Sequence, residues 1–130
     1  MDQQLFDAVS FGTAKASGIT VTSEASGSPD TIVTMTTANL PAGTYFVAYS
    51  FEVLFGSKNQ PAWFKLAGTF PDSDYFSISS ADTDELNRNR MYGYPKVWGG
   101  GPVTLTLQMY KSAATTLTAN FADVMLHRVG

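Results

Sequence analysis

The segment from residue 44 to residue 55 alternates with a period of two along its whole length. One set of positions is entirely apolar or aromatic, whereas the positions between them are mixed. Successive side chains of an extended chain point to opposite faces, so this alternation is typical of a β-strand and cannot arise from a helix. The segment therefore predicts a long strand with one continuous buried face, made of Tyr45, Val47, Tyr49, Phe51, Val53 and Phe55.

Two further strands are predicted toward the carboxyl end of the sequence. Residues 103–110 alternate between apolar and polar side chains, which is typical of an antiparallel strand that is buried on one face. A last run starts with Leu117 and Phe121 on one face and then changes phase, which predicts a β-bulge. Since the connection 111–114 is short, we expect the two strands to form a hairpin.

Weaker strand patterns fill the rest of the chain. They cover residues 4–9, 19–23, 31–37, 62–70, 75–79 and 88–98, parted by Gly12, Gly18 and clusters of turn residues. We expect 62–70 and 75–79 to form a hairpin. Because Pro95 cannot donate a ladder hydrogen bond, we expect 88–98 to lie at a sheet edge. Residues 81–87 are the only predicted helical turn.

This pattern of about eight or nine short strands is typical of an all-β fold. We predict an antiparallel β-sandwich of the jelly-roll kind. The chain has 130 residues, a length that corresponds to one domain. The prediction is a single sandwich domain over residues 1–130, with residues 1–10 as a candidate amino-terminal arm that pairs with a neighbour.

The composition agrees with a β domain and narrows its partners. Charged residues make up 15% of the chain, against roughly 25% in an average domain. The net charge of −3 and the lack of any Lys/Arg run argue against a nucleic-acid partner. No stretch approaches the roughly 20 apolar residues of a membrane-spanning helix, and the first residues do not resemble a signal peptide. We therefore predict no nucleic acid and no membrane as partners.

Catalysis and metal binding have little support in the sequence. There is no cysteine and only one histidine, His127, which excludes thiolate zinc sites and three-histidine centres. As a general base, His127 would need a nucleophile and an orienting acid nearby. The weak candidates for a metal site are the loop aspartates Asp72, Asp74, Asp82 and Asp84. Such aspartates more commonly cap turns, so we predict no metal site. Because the sequence shows no recognisable catalytic set, we also predict no enzyme activity and no cofactor.

Four large aromatic residues are the best candidates for contacts. Trp63, Tyr92, Tyr94 and Trp98 fall in or beside segments rich in Asn, Arg and Gly, with Arg88 and Arg90 next to them. Tyr92 and Tyr94 are two residues apart and share a strand face. Three interpretations remain open at this point: rings of the core, a protein interface, or a platform on which a sugar stacks.

Two segments carry a family resemblance. Leu40-Pro41-x-Gly43-x-Tyr45, within residues 39–53, leads into the long strand, and residues 121–129 close the chain. Both resemble the corresponding segments of small virion proteins of tailed bacteriophages. Similar openings and closings occur in the trimeric jelly rolls of complement-type and tumour-necrosis-factor-like heads.

The resemblance implies a non-enzymatic structural protein of a phage virion. In this interpretation the chain is made in the bacterial cytoplasm and added to the capsid as a decoration, or cement, protein. It would form homotrimers that bridge copies of the major capsid protein or other virion proteins. The alternative is the receptor- or carbohydrate-binding head of a short fibre, with a glycan as its partner. No functional residue is carried over from the resemblance, because such folds host many functions.

Overall fold

The computed structural model of the protein describes residues 10–70, 75–82 and 86–130. Within these ranges the chain forms strands, turns and loops, and no helix. It follows that no described segment is a helix long and apolar enough to cross a membrane. The strands are β1 (Ser10–Val21), β2 (Asp30–Thr36), β3 (Gly43–Phe55), β4 (Pro61–Gly68), β5 (Phe76–Ser79), β6 (Asn87–Trp98), β7 (Thr104–Lys111) and β8 (Leu117–Arg128).

The strands form two four-stranded sheets that pack face to face. The first sheet has the order β1-β8-β3-β6, and the second has the order β2-β7-β4-β5. Neighbours within each sheet are antiparallel. Every connection except the one from β4 to β5 passes from one sheet to the other. This strand order is that of a jelly roll, so the predicted all-β jelly-roll sandwich is confirmed.

β3 supplies the centre of the core, as its alternation predicts. It pairs with β6 on one side and β8 on the other. The six side chains of its predicted buried face are each 0–1% exposed. The Phe51 ring meets Phe64 of the opposite sheet edge-on, with ring centroids 4.5 Å apart. Aromatic rings favour this geometry, and here it joins the two sheets.

β8 contains the predicted bulge, although one of its residues faces the other way. Glu52 pairs with Phe121 and Val53 with Ala119, so Asn120 is the extra residue. The phase changes at Asn120, one residue earlier than the sequence indicates. Phe121, predicted to share the face of Leu117, is therefore turned to the outside of the first sheet and is 41% exposed.

The predicted hairpin of β7 and β8 is wrong, because these strands belong to opposite sheets. Their connection crosses the end of the sandwich. The Ser112 amide donates to the carbonyl of Pro61 in the second sheet, and the Gly56 amide, just after β3, donates to the carbonyl of Thr116. Because β7 and β8 lie in opposite sheets, they bury their apolar side chains in the core from opposite sides. A short connection alone does not distinguish a hairpin from such a crossing.

Two smaller expectations also change, one about glycines and one about a helical turn. Gly12 and Gly18 do not separate strands, because β1 runs through both of them along β8. Gly18 adopts a positive φ of 65° and lies opposite the bulge at Asn120, where the ladder is already interrupted. Among residues 81–87, Ala81, Asp82 and Leu86 are not helical and Asn87 begins β6; the rest lie outside the described residues.

The remaining strand predictions that fall on described residues agree with the structure, whereas the strand predicted at residues 4–9 lies outside them. β4 and β5 form the expected antiparallel pair. β6 is an edge strand of the first sheet, and Pro95 pairs in register with Phe46 without breaking it. The predicted arm, residues 1–10, lies outside the described residues except for Ser10, the first residue of β1.

Candidate functional site

Three of the four predicted aromatic residues lie on β6 and point between the sheets. The Tyr92 ring stacks on Phe76 with centroids 4.8 Å apart and on Tyr49 with centroids 5.7 Å apart. The Tyr94 hydroxyl donates a hydrogen bond of 2.5 Å to the carbonyl of Phe70. Both tyrosines are half-buried and pack against the core.

Trp98 closes the same margin of the core at the end of β6. Its indole Nε1–H donates to the carbonyl of Gly101 at 3.2 Å. Its ring meets Phe70 edge-on, with centroids 5.3 Å apart and planes at 82°. Of the three open interpretations, the core is therefore the one that describes Tyr92, Tyr94 and Trp98.

Trp63 lies apart from these residues, on the outer face of the second sheet. It stacks on Tyr110, its cross-strand partner on β7, with centroids 4.7 Å apart and planes at 11°. Tyr75 packs edge-on against Tyr110 at 4.9 Å. Trp63 therefore does not pack with the aromatic residues of β6. Its true partners come from segments that are distant in sequence, so only the strand register brings them together.

Arg88 and Arg90 line an open polar cleft of about 680 Å³ between β5 and β6. The Arg88 Nε–H donates to the Ser79 carbonyl at 3.0 Å and ties the two strands together. Arg90 is exposed and lines the same opening, as does Ser77. Guanidinium and hydroxyl donors are suited to a carboxylate. The sequence analysis named both arginines only as contact candidates next to the aromatic residues, without assigning them to a strand face.

The outer face of the first sheet carries exposed apolar side chains that the sequence analysis did not single out. The larger ones are Phe46, Leu54, Met91, Val97 and Phe121, with exposed fractions of 38%, 41%, 78%, 78% and 41%. Polar residues lie between them, since the strand register pairs Ser50 with Met91 and with Asp123, and Glu52 with Phe121. We call this surface the apolar face. In the sequence, the residues of this surface occupy the second, mixed set of alternating positions on each strand.

The middle of the apolar face is shallow, because small residues line it. Ala48 pairs with Gly93 on β6 and with Met125 on β8. The Phe46 ring lies over Gly93, where a side chain on β6 would otherwise project. A broad, shallow surface of this kind suits contact with another protein surface better than enclosure of a small molecule.

The candidate metal and catalytic residues do not assemble into a centre within the described ranges. Asp72, Asp74 and Asp84 lie outside the described residues, and Asp82 is exposed on a loop. The described part of the chain contains no group of three His, Cys, Asp or Glu residues that could hold a metal. His127 lies on the first sheet, paired with Phe46.

Asp30 makes the most developed polar contact of the described loops, and the sequence indicated it only as a turn residue. Its carboxylate accepts hydrogen bonds from the amides of Thr22 and Ser23 and from the Thr22 hydroxyl, at 2.5, 3.1 and 3.2 Å. Burial opposes ionisation, but these hydrogen bonds outweigh it, so the pKa of Asp30 is lowered from its ordinary value. The contact joins the end of β1 to the start of β2.

Comparison with known proteins bears on the fold. No family model matches the chain, and no curated protein matches it. Among solved structures, the PRD1 vertex protein P5 is similar with a TM-score of 0.55 at 8% identity, over 94% of this chain and 99% of that one. The globular domain of zebrafish complement 1qA protein gives 0.51 at 10% identity, over 94% and 98%. Eiger TNF from S. frugiperda gives 0.49 at 10% identity, over 93% and 94%. At these identities the first two likenesses show the fold, a jelly-roll sandwich.

Proposed function

We propose that this protein is a non-enzymatic structural component of a virion, which assembles as a homotrimer through its apolar face and decorates the capsid. The observation that carries the proposal is the exposure of Phe46, Met91, Val97 and Phe121 on one outer sheet face. In the proposal, trimers bind the major capsid protein or another virion protein and add buried surface to the shell.

The physical argument concerns the cost of leaving such a face in water. Burial of apolar surface is favourable by roughly 25 cal/mol per Å², and contiguous exposed apolar patches usually mark contacts. Only 15% of the residues of the chain are charged, although Glu52 and Asp123 lie on this face beside Phe121. A closed symmetric oligomer removes the patch from water on every copy at once.

Two observations support the virion location and the trimer. The fold is similar to that of a virion vertex protein, PRD1 P5, and residues 39–53 and 121–129 resemble segments of small phage virion proteins. The resemblance to trimeric jelly-roll heads supports the proposed threefold symmetry. Arg88 and Arg90 remain candidate contact residues for a partner carboxylate, because they line an open cleft.

The assembly can be tested with a charged double substitution in the apolar face. The double substitution Met91→Lys with Val97→Lys places two charges on the most exposed apolar positions of β6. In the isolated chain these charges stay in water, whereas in a trimer contact they would be buried without a partner, which is unfavourable. The matched control is Thr34→Lys with Thr36→Lys, two exposed positions on an outer strand of the other sheet. Native mass spectrometry should find trimers of the wild type and the control, and monomers of the apolar-face variant.

A wild-type monomer at every concentration, or a trimer of the apolar-face variant, would contradict this assembly. The virion location is tested separately by adding purified protein to capsids that lack it. We expect saturable binding in a fixed ratio to the major capsid protein. Binding to the host cell surface without binding to capsids would instead favour the second candidate.

That second candidate is the receptor- or carbohydrate-binding head of a short fibre. The observation that favours it is the group of aromatic rings around Trp63, which lies on the outer face of the second sheet and takes no part in the core. The two candidates can share the apolar face as a trimer contact. They differ in what the opposite face binds.

A further inference from the structure

The outer face of the second sheet is chemically unlike the apolar face. Its outward positions are occupied by hydroxyl, amide and amino groups together with aromatic rings: Thr34, Thr36, Thr106, Gln108, Tyr110, Trp63, Lys65, Ser77 and Ser79. None of the large exposed apolar residues of the described chain belongs to this face. It therefore lacks the aliphatic surface that a protein interface core needs, but it has flat rings beside hydrogen-bonding groups.

Trp63 offers one ring face for contact. Its other face is covered by Tyr110, since the two rings are nearly parallel and 4.7 Å apart. On the opposite side, its cross-strand partner is Ser77 of the short edge strand β5. A serine side chain is too small to cover an indole ring. The strand pairing thus leaves one flat face of the Trp63 indole directed toward β5, the edge strand of the sheet.

The rings beneath this surface are held in place. Tyr75 packs edge-on against Tyr110, and its hydroxyl donates to the carbonyl of Ser26 at 3.0 Å. Lys65 places its Nζ 4.6 Å from the centre of the Tyr75 ring, which is a cation–π contact. Burial, with a contribution from Tyr110, raises the pKa of Tyr75, so this hydroxyl stays protonated as a donor. The platform is preorganised rather than formed on binding.

Polar groups lie within reach of anything stacked on Trp63. Lys65 is two residues along β4 and so on the same face. Ser77 lies at the open side of the ring. An amine and a hydroxyl beside one aromatic plane match the two surfaces of a pyranose, whose apolar C–H face stacks on a ring while its hydroxyls need donors and acceptors.

From this geometry we propose that the outer face of the second sheet binds carbohydrate, with a neutral pyranose stacked on Trp63 and hydrogen-bonded by Lys65 and Ser77. The site shares Ser77 with the rim of the cleft at Arg88 and is separate from the apolar face. It does not depend on the assembly proposal, because the two surfaces are on opposite outer faces of the sandwich. A monomer could carry it as well as a trimer.

The test uses the fact that the chain has two tryptophans. Trp98→Phe removes the indole at the core margin, so Trp63 becomes the only source of tryptophan fluorescence. The probes are D-glucose, D-galactose, N-acetyl-D-glucosamine and their β-linked disaccharides. We expect at least one of them to change the Trp63 emission in a saturable way, with the millimolar affinity typical of a single small site. A glycan array then extends the search to longer oligosaccharides.

The substitution Trp63→Ala should weaken the binding about tenfold or more, as removal of a central aromatic contact does. Trp63→Phe should retain part of the affinity. Both variants keep the inward-facing residues of β4, so circular dichroism and melting should stay close to wild type. No saturable response to any probe, or equal binding by the Trp63→Ala protein in the array, would overturn the proposal, whatever native mass spectrometry finds for the trimer.

Discussion

The aromatic ring of Phe46 lies directly over Gly93, its diagonal neighbour across the β3–β6 ladder. A Cβ atom at residue 93 would stand 2.5 Å from Cζ of Phe46 and 2.6 Å from Cε2. The glycine therefore provides the space in which the ring lies flat on the sheet. The Phe46 side chain therefore adds to a flat surface instead of projecting from it, and a flat surface suits contact with another protein.

The first prediction concerns Gly93→Ala. The added methyl group must displace the end of the Phe46 side chain, which is exposed and can rotate outward, so we expect a change in stability of less than about 1 kcal/mol. Trimer formation should be affected more than stability, because the displaced Phe46 ring makes the apolar face less flat. Sedimentation velocity should show a higher dissociation concentration for the trimer. Gly99→Ala is the matched control, since nothing lies within 4 Å of its Cβ position; equal assembly of both variants would count against a role for Phe46.

The second prediction concerns Gly68→Ala at the end of β4. Gly68 has a φ of 114°, and a Cβ atom there would collide with the backbone carbonyl oxygen of Thr104. Since backbone cannot move aside as a side chain can, we expect a loss of about 2–4 kcal/mol. Urea denaturation measures the loss. Gly27→Ala, at an open position without positive φ, should stay within about 0.5 kcal/mol, and equal stability of the two variants would contradict the geometry.

The third prediction compares two phenylalanines on neighbouring strands. Phe51 is 1% exposed and Phe121 is 41% exposed. Phe51→Ala should lower the free energy of unfolding by about 3–5 kcal/mol, because it leaves a cavity beside Phe64. Phe121→Ala should cost less than about 1 kcal/mol when measured in dilute protein, where assembly does not contribute. Similar losses for both would mean that the bulge does not turn Phe121 outward.

The core could be predicted from the sequence because it depends on one periodicity. In β3 and β7, each alternate residue is large and apolar, and each of these is buried. The connection between β7 and β8 could not be predicted in the same way. A short link is compatible with a turn within one sheet and with a crossing between sheets, and the choice depends on packing across the whole sandwich.

The candidate site was harder to predict for a related reason. Contact residues are usually large aromatic residues beside polar neighbours, and this description fits Tyr92, Tyr94 and Trp98. Their phase on β6 nevertheless points their side chains toward the core. Met91 and Val97 occupy the opposite phase and are exposed. The phase of an edge strand follows from its pairing with β3, which a single sequence does not reveal. Trp63 and Tyr110 likewise become neighbours only through the β4–β7 register.

The last prediction concerns the pH dependence of stability and the carboxylate of Asp30. The pKa of Asp30 is lowered in the folded protein, so the charged form is favoured by folding. Such a group contributes stability above the pKa that it has in the unfolded chain, and the contribution is lost as the pH falls through its folded pKa. Asp30→Asn should therefore reduce the melting temperature at neutral pH. The difference from the wild type should be constant above about pH 5 and should shrink below about pH 4.

Melting curves of the wild type and Asp30→Asn between neutral pH and about pH 3 measure this difference. Thr22→Val is the matched comparison, because it removes the hydroxyl donor but keeps the amides of Thr22 and Ser23. It should keep most of the pH dependence, since two of the three hydrogen bonds to the charged form remain. A difference between wild type and Asp30→Asn that stays constant to low pH, or grows there, would show that the carboxylate does not stabilise the β1–β2 connection through its charge.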